Sequence, residues 1–186
     1  MILECSDTIS CPNAGYHLAG CKKVQQDLAT PGRLERFVGE DDAVRSLRAS
    51  FAGLWSLEGE DNPARAMAME RPDAFVLKPQ REGGGNNLYG EELRQRLAEG
   101  GGLEAFILME RIRPRIHEAA HVMRNGDTQD MAVISELGIF SSILARGDDE
   151  YIINRQCGHL LRTKMASSDE GGVAAGYAYL DSPKLV

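Results

Sequence analysis

The sequence predicts a mixed α and β architecture, and three stretches carry that expectation. AFVLKP (74–79) is a short apolar run stopped by proline, which reads as a strand. AVISELGIFSSILA (132–145) and YIINR (151–155) flank the turn RGDDE, and together they read as a long antiparallel hairpin. Between these, GEELRQRLAEGGG (90–102) has amphipathic helical spacing. Glu91 and Glu92 suit its first turn and Gly100 its C-terminal cap.

In chain order, KKVQQDLA (22–29) forms a short helix stopped by Pro31 and Gly32. The charged, Ala- and Leu-containing stretch from Leu34 to Leu57 reads as largely helical, and GEDNPARAM (59–67) as a loop or linker. The strand 74–79 leads into KPQREGGGNNLYGEE (78–92). Three consecutive glycines weaken any helix or strand, so this backbone is suited to moving or to approaching something closely. AFILMERI (105–112) is a second buried strand, followed by the hairpin, GHLLRTK and a second small-residue loop, SSDEGGVAAG (167–176). The order is strand, mobile loop, helix, strand, hairpin, second loop, an arrangement in which two loops can close on one cleft.

A chain of 186 residues suffices for one domain or two small lobes. Its 42% hydrophobic and 26% charged residues are ordinary for a soluble globular protein. The net charge of -7 argues against general affinity for nucleic acid, and no apolar stretch is long enough to span a membrane. The opening MILECSDTIS carries an acid and no basic leader, which argues against a secretory signal. Cys5, Cys11, Cys21 and Cys157 contain no CxxC pair and so no framework for structural zinc. They read as small buried or incidental thiols of a reduced, cytosolic protein.

A lysine at the end of a strand, followed by glycines, suits a nucleotide: bare backbone amides can point at phosphate oxygens. Lys78 adds a point charge, Glu82 a hard carboxylate for magnesium, and Asn86 and Asn87 their amides. The spacing fits neither a P-loop nor a dinucleotide fingerprint, and a kinase glycine loop precedes its lysine rather than following it. The plainer alternative is a surface hairpin with a solvated charge cluster. MERI (109–112) ends a buried strand, as an ordinary terminus or as a hinge whose backbone meets an adenine edge. Glu136 lies within the apolar run AVISELGIF, so it either faces a wet or liganded surface or pairs with a lysine. Arg162 and Lys164 share one strand face, where two cations repel unless an anion sits between them; the alternative is a solvated edge.

HEAAH (117–121) fits HExxH. On a helix, His117 and His121 would face one way and ligate zinc, with Glu118 as base and His159 the remaining downstream histidine. Pro114 and the charged, small-residue context point instead to a surface connection between strands.

Taken together, LAGCKKVQQDL, FVLKPQREGGGNNLYGEEL, FILMERI, ISELGIF, GHLLRTK and EGGVAAGYAYLDSP resemble, in order and spacing, the eukaryotic-type glutathione synthetase family of the ATP-grasp superfamily. The resemblance covers nearly the whole chain. It implies an ATP-grasp fold with antiparallel sheet lobes and two lid loops. Residues 1–21 would be a remnant of the substrate-binding region and 22–186 the ATP-binding domain, with a glycine-rich loop at 82–87 and an alanine-rich loop at 171–176. It implies that Lys22 and Lys78 meet nucleotide phosphates and that Lys78 to Asn87 form the phosphate-covering loop. Gly83 and Gly84 then count with Arg162 as catalytic positions, and Gly85, Asn86 and Asn87 as nucleotide contacts. Glu82 resembles a magnesium ligand. Tyr89 and Met109, Glu110, Arg111 and Ile112 resemble nucleoside contacts, and Glu136, Lys164 and Glu170 further nucleotide contacts. Arg162 resembles the grip on a substrate carboxylate, with Val173 and Ala174 as backbone contacts to the peptide substrate.

The family reaction joins γ-glutamylcysteine to glycine at the expense of ATP, through an acyl phosphate. Lysines and magnesium would neutralise the approach of two anions, and the lids would exclude water. The family enzyme is a homodimer and a longer chain, whose remaining magnesium ligands and most γ-glutamylcysteine contacts correspond to a part preceding these residues. The C-terminus reads as complete. Glu170 stands where the family usually has aspartate, 113–130 does not match closely, and 58–71 is shorter. The rival readings are a non-catalytic ATP-binding fragment or half of a split enzyme, and, more remotely, an HExxH zinc hydrolase.

Overall fold

The computed structural model describes residues 5–8, 11–59, 61–81, 85–124, 126–147, 150–174 and 176–183. These fall into two compact units. One comprises the described residues up to Arg81 together with Asn86–Ile112, and the other comprises Gly85 and the described residues from Arg113 onward.

The first unit contains α1 (Ala14–Ala19), α2 (Lys22–Ala29), α3 (Asp41–Ala49), β1 (Leu54–Ser56), α4 (Pro63–Glu70), β2 (Phe75–Pro79), α5 (Gly90–Glu99) and β3 (Phe106–Glu110). Its sheet has the order β1-β3-β2 and is antiparallel throughout. Alternation along β2 turns Phe75 and Leu77 into a core shared with Leu93 and Leu97 of α5, Ala64 and Ala68 of α4 and Leu108 of β3. Leu77, Leu93, Leu97 and Leu108 are fully buried, each worth about 1.5–3 kcal/mol of transfer free energy. Helix α5 begins and ends where its charges and glycines dictate. Gly100 takes a φ of 66°, and Arg96 turns back to donate to the Gly100 and Gly101 carbonyls at 2.7 and 2.6 Å.

Two segments depart from the sequence expectation. Within 34–57, read as largely helical, Leu54–Ser56 is a strand, because the apolar LWS pairs with Met109, Leu108 and Ile107 of β3. Within 59–67, read as a loop, α4 begins at Pro63. Asn62 caps it by accepting from the Ala64 amide at 2.9 Å, and Pro63 occupies the first helical position.

The second unit is one antiparallel sheet in the order β4-β5-β6-β7, from β4 (His117–Arg124), β5 (Asp127–Arg146), β6 (Glu150–Met165) and β7 (Ala178–Asp181). Strand β5 has 20 residues, a span of ~65 Å at strand rise. HEAAH is therefore strand β4 itself, not a connection between strands and not a helix. Residues four apart on a strand lie ~13 Å apart, too far for His117 and His121 to share a zinc ion. A register irregularity falls between His117 and Ala120, and the His121 ring pairs with Asp130 across the hairpin. The cysteines are free thiols, Cys21 half-buried and the other three exposed, so of the two readings, buried or incidental, the buried one does not hold. No helix is long and apolar enough to cross a membrane among the described residues.

Candidate functional site

In the first unit the two arms that flank the glycine segment pair with each other. The Leu77 and Leu88 amides donate to each other's carbonyls at 3.0 Å, so the chain that leaves β2 after Pro79 returns beside it. Glu82, Gly83 and Gly84 lie outside the described residues. Gly85 has a φ of 69°, a left-handed conformation that favours glycine. The returning arm carries Asn86, Asn87 and Tyr89, and the Asn87 amide donates to the Tyr89 hydroxyl at 3.3 Å. Helix α2 docks on the outgoing arm. The Lys22 ammonium donates to the Arg81 carbonyl at 2.9 Å, and the Lys23 amide to the Gln80 side chain at 3.3 Å. Lys22 and the segment after Lys78 are thus neighbours despite their distance in sequence.

The end of β3 lies beside Tyr89, whose ring carries the Arg111 guanidinium stacked 5.4 Å from its centroid. Two amides of the MERI segment are already used: Glu110 donates to Gly53 at 2.8 Å and Arg111 to Ala74 at 2.9 Å. Glu110 also accepts from the Gly53 amide at 3.0 Å, so both its backbone and its carboxylate are tied to β1's approach. Ile112 follows with an exposed side chain and an amide that no described backbone carbonyl accepts. Gly53 is a residue that sequence reading missed; the signal was a glycine directly before the apolar pair Leu54 and Trp55.

The second unit gathers a second set. Arg162 lies directly across from Glu136, and the two form an ion pair. Glu136 is exposed and its partner is an arginine rather than the lysine considered from sequence. The anion expected beside the Arg162–Lys164 pair is thus supplied partly by the chain itself. Among the described residues one terminal nitrogen of Arg162 is engaged, which leaves other donors of its fork for a carboxylate. The second loop passes Lys164: a Cβ on Gly171 would lie 3.9 Å from the lysine Cδ. The Glu170 carbonyl accepts from Ser168 at 3.0 Å. Val173 begins a tight turn in which its carbonyl accepts from Gly176 at 2.9 Å and Gly172 accepts from Tyr177 at 3.0 Å, with Ala174 exposed at the tip. On the opposite face, Thr163 is buried and bonded on both sides, to Ser135 at 2.8 Å and Asp181 at 2.9 Å. This polar rung was also missed; in sequence it is three unremarked hydroxyl and acid positions.

The model of the eukaryotic glutathione synthase ATP-binding domain matches residues 6–185. The chain belongs to that family. Glutathione synthetase of Solanum lycopersicum, a chloroplastic form, is 51% identical over all of this chain and 34% of its own length. The Homo sapiens enzyme is 48% identical over 98% of this chain and 40% of its own. The solved structure of a glutathione synthetase-like effector from Globodera pallida, in apo form, superposes with a TM-score of 0.67 over 92% of this chain and 35% of that one. Its 24% identity carries the fold alone. This glutathione synthase domain therefore has the mixed α and β, antiparallel-sheet architecture expected, and it spans about a third to two fifths of the length of these curated relatives.

Proposed function

We propose that this domain binds ATP and serves the ligation of γ-glutamylcysteine to glycine. The observation that supports it most is the closure of the glycine segment by Leu77 and Leu88. It places Lys78, Asn86, Asn87 and Tyr89 at one end of the β2–β3 sheet, where no described backbone carbonyl accepts the Ile112 amide. An amide with no described backbone acceptor, close in sequence to the Arg111 stacked on Tyr89, suits the edge of a purine, which needs a donor and a flat apolar wall. Lys22 and Lys78 then face phosphate oxygens, and Glu136, Lys164 and Glu170 are further nucleotide contacts. Gly83, Gly84 and Gly85 let the backbone fold over the phosphates.

In the reaction so proposed, an oxygen of the cysteinyl carboxylate attacks the γ-phosphorus while the bond to ADP breaks, giving an acyl phosphate and ADP. The glycine nitrogen then attacks the acyl carbon, the carbon–oxygen bond to phosphate breaks, and the ammonium proton passes to solvent. The lysines offset the negative charge of both partners, which otherwise repel. Arg162 orients the substrate carboxylate with donors that Glu136 does not occupy, and Val173 and Ala174 offer backbone to the peptide. Among the described residues no cluster of three or more His, Cys, Asp or Glu suits a metal ion. Glu82, the proposed magnesium ligand, lies outside them, and the steps above rest on this chain's own cations. The homodimer and the cytoplasmic setting belong to the same proposal, which four free thiols suit.

Two measurements test it. ATP with magnesium raises the melting temperature of the chain, whereas AMP does so less; no shift overturns the nucleotide reading. Phosphate release that needs γ-glutamylcysteine and glycine appears when the rest of a glutathione synthetase chain is supplied. Its absence alongside ATP binding favours the non-catalytic module instead.

A further inference from the structure

Helix α2 carries Lys22 at its first position, and none of its 8 residues is buried. Val24 and Leu28 are only half-buried, so apolar packing holds this short helix weakly. Its place is set by polar contacts at its two ends. At the first end, the Lys22 ammonium meets the Arg81 carbonyl and the Lys23 amide meets the Gln80 side chain. The Lys23 ammonium pairs with Glu58 at 3.3 Å.

The other end is held chiefly by Arg48, in the last turn of α3. Its Nη1 donates to the Ala29 carbonyl at 3.0 Å and its Nη2 to the Thr30 carbonyl at 3.2 Å. The same guanidinium grips Glu35 from Nε at 2.9 Å and from Nη2 at 2.8 Å. A helix leaves its last carbonyls without internal partners, and a cation there also suits the macrodipole. The planar fork spans two carbonyls and a carboxylate at once, which the point charge of a lysine does not. Arg33 and Asp27 pair at this end too, at 3.4 Å, but both are well exposed and such a pair contributes little.

We infer that Arg48 is a positioning residue for the phosphate end of the proposed nucleotide site, acting along α2 on the Lys22 ammonium at the far end of the helix. The inference rests on the reading of Lys22 as a phosphate contact. Arg48 is not itself that contact, because each of its three nitrogens already donates to the chain. At about 1.5 Å per residue α2 is ~12 Å long, so a swing of ~10° about Thr30 carries Lys22 by ~2 Å. Misplacement by ~1 Å already weakens a directed contact severely. With Arg48 in place, the helix axis is fixed at both ends and Lys22 stays beside the arm that leads into the glycine segment.

The test measures ATP affinity by calorimetry in the parent, Arg48→Ala, Lys22→Ala and the double variant, each shown by circular dichroism to be folded at the assay temperature. Arg48→Ala is expected to weaken ATP binding by ~10-fold. In the Lys22→Ala background the same change costs less than ~2-fold, because no ammonium is left to misplace. Arg48→Lys keeps the charge and loses the fork. It is expected to weaken ATP binding by ~5-fold or more, and it serves where Arg48→Ala does not fold. Backbone amides of α2 exchange faster with solvent in both variants. An equal loss in the two backgrounds overturns the inference, since a general loosening of the fold acts without Lys22. Unchanged ATP affinity in Arg48→Ala or Arg48→Lys overturns it as well. A parent that does not bind ATP, or a Lys22→Ala chain that binds it as tightly as the parent, overturns the phosphate reading itself and the inference with it.

Discussion

Gly53→Ala is expected to damage the end of β3 from a distance. Gly53 is held to Glu110 by two bonds, at 2.8 and 3.0 Å. A methyl at this position would lie 2.9 Å from the Trp55 Cζ2 atom, and it overlaps Cη2 and Cζ3 more deeply. The indole cannot swing away freely, because it packs on the core and meets the Phe75 ring edge-on at 5.6 Å. Overpacking costs about 1–3 kcal/mol and the lost aromatic pair about 0.5–1.5 kcal/mol, together roughly 2–4 kcal/mol. For a unit of this size that corresponds to a melting temperature lower by roughly 10–20 °C. The assay is thermal unfolding followed by circular dichroism, which reads variants with and without Trp55, with ATP titration of whatever remains folded. The double variant with Trp55→Leu removes the ring that is struck, so it should recover much of the loss through a coupling of about 1–2 kcal/mol. A Gly53→Ala protein melting within 2–3 °C of the parent (~0.5 kcal/mol) would refute the reasoning.

The remaining predictions concern charge. Lys78→Ala should weaken ATP binding by ~10-fold or more in calorimetry, since a charge-assisted contact is worth about 1.5–3 kcal/mol; unchanged affinity would remove its phosphate role. Arg162→Ala should abolish phosphate release in the complemented enzyme with ATP affinity nearly intact, and the reverse pattern would reassign it to the nucleotide. His121→Ala should leave both untouched, because its partner is the exposed Asp130 of the same hairpin. Glu35 is held below its usual 4.5 by a hydrogen bond to its own backbone and by the Arg48 guanidinium. Folding therefore lowers its value, and its contribution is present above 4.5 and lost as the pH falls below it. Below that pH the parent's melting temperature should drop more steeply than that of Glu35→Gln; parallel curves would show that the pair contributes nothing.

The sequence was legible where local chemistry decides structure. AFVLKP and GEELRQRLAE formed as their periods and stops require, because each buries its own apolar set, and the long hairpin formed from two runs that pair with each other. It was opaque where pairing across the chain decides. LWS is too short to show a period, and only β3 makes it a strand. HEAAH has the spacing of a helical metal site, yet its apolar positions and the hairpin partner 127–133 place it in a sheet. Asn62 and Pro63 gave a clear helix start that the surrounding polar residues masked. At the candidate site, the residue types of Lys78, Arg162 and Lys164 were readable, but the Glu136–Arg162 pair, the Lys22–Arg81 link and the role of Gly53 are tertiary facts.

The hydroxyl and acid chain Ser135–Thr163–Asp181 has a consequence for how this sheet assembles. If β6 slid by one position, Thr163 would turn outward, Arg162 and Lys164 would turn inward, and two cations would lose water without a carboxylate to receive them. Only one alignment of the three strands completes both hydrogen bonds. The rung thus acts as a registration mark, and the outward aim of Arg162 and Lys164 is settled by a threonine on the other face of the sheet.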